Sequence, residues 1–307
     1  MKTDAQAAYK TRRRIALSRD DRVFYSVNHA LLTVFLLLVL YPLINIVSSS
    51  FSSGAAVSMG KVVLWPVDFS VAGYQAVFKS RDVIVGYRNT LFYTVVGTLI
   101  NVFITMIAAY PLSRRNLPFK GGFTFLFAFT MMFSGGMVPG YMLVRDLKML
   151  DTVWAMIIPG ALSAYNLVLA RTFLQNTIPQ ELLEATQIDG CNDFGFFIRI
   201  VLPLSKSILA VLTLYYAVGH WNSYFQAFLY LYKRNLYPLQ LFLREILVMN
   251  QIDIELINDP ELAAARQGLA DLLKYAMIMV STVPILLVYP FVQKHFVKGV
   301  MIGSLKG

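Results

Sequence analysis

Hydrophobic residues fall along this chain in long blocks separated by polar stretches. The blocks cover roughly 30–48, 90–112, 123–144, 153–173, 204–230 and 275–292, and none contains an aspartate or glutamate. A bilayer core of roughly 30 Å is crossed by about 20 apolar residues in a helix. Each block is therefore read as a transmembrane helix, which predicts an all-α, polytopic membrane protein with six spans. The ten-residue alternation of an outer-membrane barrel is absent. The first block is too long for a removed signal peptide and lacks a small-residue cleavage site in the right place, so it is expected to stay as an anchor. Pro42, Pro139, Pro159, Pro284 and Pro290 lie inside the blocks. Membrane helices tolerate proline because neighbours satisfy the freed carbonyls. Ser134, Gly135 and Gly136, followed by Pro139 and Gly140, form the best place for a helix to break outright.

Charge sets the orientation. Lys2, Lys10, Arg12, Arg13, Arg14, Arg19 and Arg22 crowd the amino end, and Arg114, Arg115 and Lys120 the short second connection. Basic residues hold short loops in the cytoplasm. Both termini are thus expected inside, with a basic tail over 1–29 and a carboxyl-terminal tail over 299–307. The long connections, about 49–89 and 231–274, fall outside. Within the second, 237–248 (YPLQLFLREILV) reads as a short amphipathic helix, and Asn258, Asp259 and Pro260 as a turn with Asp259 a helix cap.

Composition changes this picture little. The chain is 57% hydrophobic and 14% charged, against roughly 25% charged in soluble domains. The net charge of +10 reflects loop topology, not a nucleic-acid partner. Cys191 is the one cysteine, and His29, His220 and His295 show no ligand spacing, so neither a disulfide nor a metal site is expected.

One polar stretch interrupts the oily half of the chain. Residues 181–204, ELLEATQIDGCNDFGFFIRIVLPL, carry Glu181, Glu184, Asp189 and Asp193 between two long apolar runs. Pro179 suits a first turn, and Glu181 and Glu184 favour a helix amino end. Leu182, Leu183, Ala185 and Ile188 give one apolar side, and Asp189-Gly190 signals a turn. Phe194, Phe196, Phe197, Ile198 and Ile200 begin a second apolar stretch, and Leu202-Pro203 leads into the fifth block. This predicts two short helices at an angle on the inner membrane face.

The order of these residues resembles the EAA signature of the permease subunits of ABC importers: E-A-A, three residues, G, nine residues, I-x-L-P. Glu184, Ala185, Gly190, Ile200, Leu202 and Pro203 fit both gaps, and Thr186 departs where alanine is usual. The carboxyl end, 274–307, is similar to carbohydrate permeases of the shorter maltose-permease type. So are 88–98 (RNTLFYTVVGT), 220–230 (HWNSYFQAFLY) and 238–247 (PLQLFLREIL). The likeness spans the chain from about residue 25 and looks closest to the branch for complex oligosaccharides or uronate-containing sugars.

This resemblance implies a type I ABC importer permease fold over 30–298 in a bacterial inner membrane. The loop 179–203 would form a coupling helix seated in a cleft of a cytosolic ATPase. Glu184 would be its charged contact. Ala185 and Thr186 would allow close packing, Asp189 and Gly190 would make the corner, and Ile200, Leu202 and Pro203 would anchor the knob. Gly299, Gly303, Lys306 and Gly307 would reach between the ATPase subunits. The implied partners are a related permease forming a heterodimer, two ATPases, an external sugar-binding protein and a carbohydrate. Sugar rings stack on aromatic faces and bond to amides and hydroxyls, so Tyr215, Tyr216, Trp221, Asn222 and Tyr224 are pathway candidates. Tyrosine and tryptophan also simply favour bilayer interfaces. No phosphate-binding G-x-x-x-x-G-K-[ST] stretch occurs, so this chain is expected to bind no cofactor, with ATP used by the partner ATPase. A self-sufficient secondary transporter would need intramembrane acids or histidines, and His220 is the lone mid-span candidate. An intramembrane enzyme would need a nucleophile and base that are missing.

Overall fold

The computed structural model describes residues 18–255 and 260–304, and every regular element among them is helical. Helix α1, Arg19–Ser50, starts at a capping box: Ser18 Oγ accepts from Asp21 N–H at 3.0 Å, and the Asp21 carboxylate accepts from Ser18 N–H at 3.2 Å. That cap draws the helix start eleven residues ahead of the apolar block, so 19–29 is helical. No residue in the most apolar stretch of α1 is buried. Only its end is packed, where Ser48 Oγ donates to Leu64 O at 2.6 Å and Tyr74 Oη to Ser50 Oγ at 2.8 Å. These bonds pin the connection that carries α2 (Gly54–Ser58) and α3 (Ala72–Lys79).

Helix α4, Arg81–Ser113, is the axis of the packed body. Beyond it, α5 (Lys120–Met132) and α6 (Met137–Asp146) meet at 113°. The break falls at Ser134, Gly135 and Gly136, as the sequence suggests, with Gly136 at φ +85°.

The expected fourth span is not one helix. It divides into α7 (Trp154–Ile157) and α8 (Ala164–Thr177). Pro159 supplies no N–H to continue the ladder, and Ser163 caps the new helix by accepting from Asn166 N–H. After α8 come α9 (Gln180–Ile188), α10 (Asp193–Phe196), a π turn (Phe197–Val201) and α11 (Leu202–Leu204). The fifth block divides too, into α12 (Lys206–Trp221) and α13 (Tyr224–Tyr230). The amphipathic stretch forms α14 (Leu239–Glu255), which buries Leu239, Leu241 and Phe242. Asn258 and Asp259 lie outside the described residues. The last described element is α15 (Pro260–Ser304).

Six uninterrupted spans are thus not found among the described residues. Three helices are long and apolar enough to cross a membrane (Arg19–Ser50, Arg81–Ser113 and Gln267–Val288), or up to five spans if each sharply bent pair counts as one. Helix α4 packs on α12, α8 and α14, and α15 packs on α14, α12 and the end of α1.

Candidate functional site

The polar segment folds as a corner packed against α4, α8 and α12. Helix α9 lays Leu183 into a core formed by Met106, Ala109 and Leu112 of α4, Leu167, Ala170 and Leu174 of α8, and Ile208, Val211 and Leu212 of α12. Its other side carries Glu184 and Ala185, both exposed, and Ile188, 88% exposed. Thr186 is half-buried, and its hydroxyl donates to Leu183 O at 2.8 Å within the helix.

The corner closes as a Schellman motif. Gly190 N–H donates to Gln187 O at 3.0 Å and Cys191 N–H to Thr186 O at 2.9 Å. This needs a left-handed residue, and Gly190 has φ +78°. Asn192 then caps α10, its Oδ1 accepting from Gly195 N–H at 2.7 Å. Phe196 and Val201 are fully buried. Burying a phenylalanine contributes about 1.5–3 kcal/mol, so these two hold the second arm more firmly than Ile200 and Leu202, which are half-buried, or Pro203, which is exposed. Between them the helix widens by one residue, with Leu202 N–H donating to Phe197 O. Pro203 offers no N–H of its own to the ladder here. The chain then turns 80° into α12.

The junction with α4 is aromatic and cationic. Tyr110 packs on Phe197 and Phe196, with ring centroids 5.2 and 6.4 Å apart. The Arg114 guanidinium lies 5.1 Å from the Tyr110 ring and 5.7 Å from that of Phe196. Burial pushes the Arg114 pKa below its ordinary value, an effect that Tyr110 and Asp193 oppose. Phe196, Val201 and Arg114 are the anchors that sequence reading missed. In the sequence the phenylalanines stand out only as an apolar run, and Arg114 only as a topology charge.

The pathway candidates divide. Tyr216 is buried; Ser163 N–H donates to its hydroxyl at 3.2 Å, and that hydroxyl bonds Thr105 Oγ1 at 2.7 Å. Trp221 is buried too, and its Nε1–H donates to Ser281 O at 3.0 Å. Both tie helices together in this conformation. Tyr215 is half-buried beside Tyr165, and Asn222 and Tyr224 are exposed. Next to them Asn101 Nδ2 donates to His220 Nε2 at 3.0 Å and to Gly160 O at 3.3 Å. This joins the break before α8 to α4 and α12. Gly299 and Gly303 lie on the last turns of α15, whereas Lys306 and Gly307 lie outside the described residues. No group of metal-ligating side chains occurs among the described residues.

No family model matches the chain. Over 290 residues it is 40% identical to the polygalacturonan/rhamnogalacturonan transport system permease protein YtcP of Bacillus subtilis, covering 94% of this chain and 99% of that one. It is 40% identical over 273 residues to the protein LplC of the same organism, covering 88% and 90%. Its fold matches a chain of a bacterial ABC transporter involved in the import of the acidic polysaccharide alginate. That match has a TM-score of 0.82 and 37% identity, covering 91% of this chain and 99% of that one. These relatives are transport permeases and not enzymes, and with the long apolar helices they make this a multi-pass protein of the bacterial inner membrane. The chain belongs to the permease subunits of ABC sugar importers.

Proposed function

We propose that the corner built by α9 to α11 is the coupling element through which a cytosolic ATPase drives this permease. ATP-dependent closure of two soluble subunits moves helices in the bilayer only through a stiff projection, and that is what this segment offers. Its inner side is held by Leu183, Phe196 and Val201 against α4, α8 and α12, and its outer side presents Glu184, Ala185 and Ile188. This exposed, firmly anchored corner is the observation that carries the reading. Glu184 takes the charged contact, Ala185 and Thr186 the close approach, and Asp189 and Gly190 the turn. Ile200, Leu202 and Pro203 lead the motion into α12. In this reading Gly299, Gly303, Lys306 and Gly307 reach between the two ATPases, and the ATP is theirs.

The chain crosses the membrane six times in this account, with both ends inside. Helices α1, α4 and α15 make single passes, and the broken pairs α5 with α6, α7 with α8 and α12 with α13 make the other three. Short broken helices are tolerated at membrane depth where protein or a water-filled path covers them. The bare apolar length of α1 is supplied with a neighbour by a related second permease, forming the heterodimer. An external binding protein delivers the sugar. Relatives named for polygalacturonan/rhamnogalacturonan and for alginate support an oligosaccharide of acidic sugars as the substrate. Tyr215, Asn222 and Tyr224 face its path, and Tyr216 and Trp221 join them when the helices part.

The test is co-purification of the importer with wild-type chain and with Glu184→Lys. The variant should lose at least tenfold of the ATPase while keeping the second permease, since an unmatched charge pair in an interface costs about 2–5 kcal/mol. Full ATPase retention by the variant would place the docking contact elsewhere.

A further inference from the structure

The corner where α4 ends and α9 begins forms a half-open cavity of about 480 Å³. Arg114, Arg115 and Lys120 line it with Gln175 and Asn176, and Glu181 is the one carboxylate on its wall. Arg171 stands near enough for its charge to act on Lys120. None of these four cations forms an ion pair among the described residues. Lys120 Nζ donates to Arg114 O at 2.8 Å and Arg171 Nε to Leu112 O at 3.2 Å. These bonds position the charges without neutralising them, and Asp193 is near enough to offset part of the charge on Arg114 alone.

Two further features point to an anion. Arg114 is only 9% exposed, yet its Nε and Nη2 make no hydrogen bond among the described residues. Buried charged donors without acceptors are costly, and a matching acceptor removes the cost. Helix α9 also opens at Pro179 with no side chain capping it. Its first N–H groups therefore remain available, and a helix start favours negative charge.

We propose that this cavity binds a phosphate group, carried by an anionic lipid headgroup or as free inorganic phosphate. Arg114, Arg115 and Lys120 supply the charge, and the start of α9 supplies neutral donors. Arginine forks match phosphate oxygens, and the lysine adds a point charge. A phosphate here would clamp the 113–120 connection to the root of α9. The proposal goes beyond the coupling reading and does not depend on what α9 docks against.

The experiment uses the purified full chain in detergent, titrated with phosphatidylglycerol, phosphatidylcholine and inorganic phosphate, with binding read by native mass spectrometry. The wild type should hold one phosphate-bearing ligand per chain. Retention of phosphatidylglycerol over phosphatidylcholine would identify a headgroup, and retention of inorganic phosphate with no lipid preference would identify the free ion. Arg115→Gln with Lys120→Gln removes two charges outside the buried core and should weaken binding about 30-fold, with helical content by circular dichroism unchanged. Equal affinity in wild type and double variant for every probe would overturn the proposal. So would the absence of any bound phosphate-bearing probe on the wild-type chain.

Discussion

Gly190 gives the sharpest handle on the corner. It sits just beyond α9 at φ +78°, and its N–H and that of Cys191 complete the turn. A Cβ placed on it would meet nothing within 4 Å. Substitution therefore tests the backbone alone, free of any clash. A left-handed conformation costs an L-residue about 1–2 kcal/mol, and asparagine less than alanine because it visits this region more readily. A penalty of 1–2 kcal/mol shifts the balance between closed and open corner by about 5- to 30-fold. Initial rates of sugar uptake, measured in cells at matched membrane levels of the protein, should fall in the order glycine, asparagine, alanine, valine. If Gly190→Ala were as active as wild type, or if asparagine were as damaging as valine, the position would be insensitive to φ and the turn geometry would not matter for transport.

Gly97 is the opposite case, because a Cβ there would lie 2.4 Å from His220 Nε2. Gly97→Ala should destabilise by about 1–3 kcal/mol through overpacking, seen as loss of folded yield by size-exclusion chromatography. Gly97→Ala combined with His220→Ala should recover part of it. Asp151 predicts an acid response. Its carboxylate accepts from Tyr232 N–H at 3.0 Å and Lys233 N–H at 2.8 Å and pairs with Lys233 Nζ at 3.0 Å. Burial pushes the carboxyl up, but these partners outweigh it and hold the pKa below the ordinary carboxylate value. The unfolded chain therefore takes up this proton at higher pH than the folded one. The stabilisation is fully present above about pH 4 and is lost as pH falls through the lower folded value. Asp151→Asn should lower the melting temperature at pH 7 by a few degrees and flatten its decline below pH 4.

What could be read in the sequence follows from which residues act locally. The helix–turn–helix of 181–204, the left-handed glycine and the break at 134–136 depend on residues next to one another in the chain, and they were visible. The division of the fourth block was less so, because Pro159 is tolerated in many continuous membrane helices, and here Gly160 and the Ser163 cap complete the break. The long reach of α1 toward Arg19 turned on one capping box outside the apolar block. Tyr216 and Trp221 read as sugar contacts because their type suits sugars. Their bonds to Thr105 and Ser281 join helices far apart in sequence, which no local pattern reveals. Arg114 is similar. Its burial against Tyr110 and Phe196 depends on a fold that brings two connections together.

As the coupling element proposed above, this corner would face the cytoplasm and be covered by an ATPase. Cys191, the one cysteine of the chain, reports on it directly, because it sits half-buried in the turn itself. The measurement is the rate at which a membrane-impermeant maleimide labels Cys191 in inside-out vesicles, before and after the ATPase is stripped. Labelling should be slow in the assembled importer and at least tenfold faster once the ATPase is removed, with no labelling from outside in intact cells. Equal rates with and without the ATPase, or labelling from the outer side, would contradict that placement.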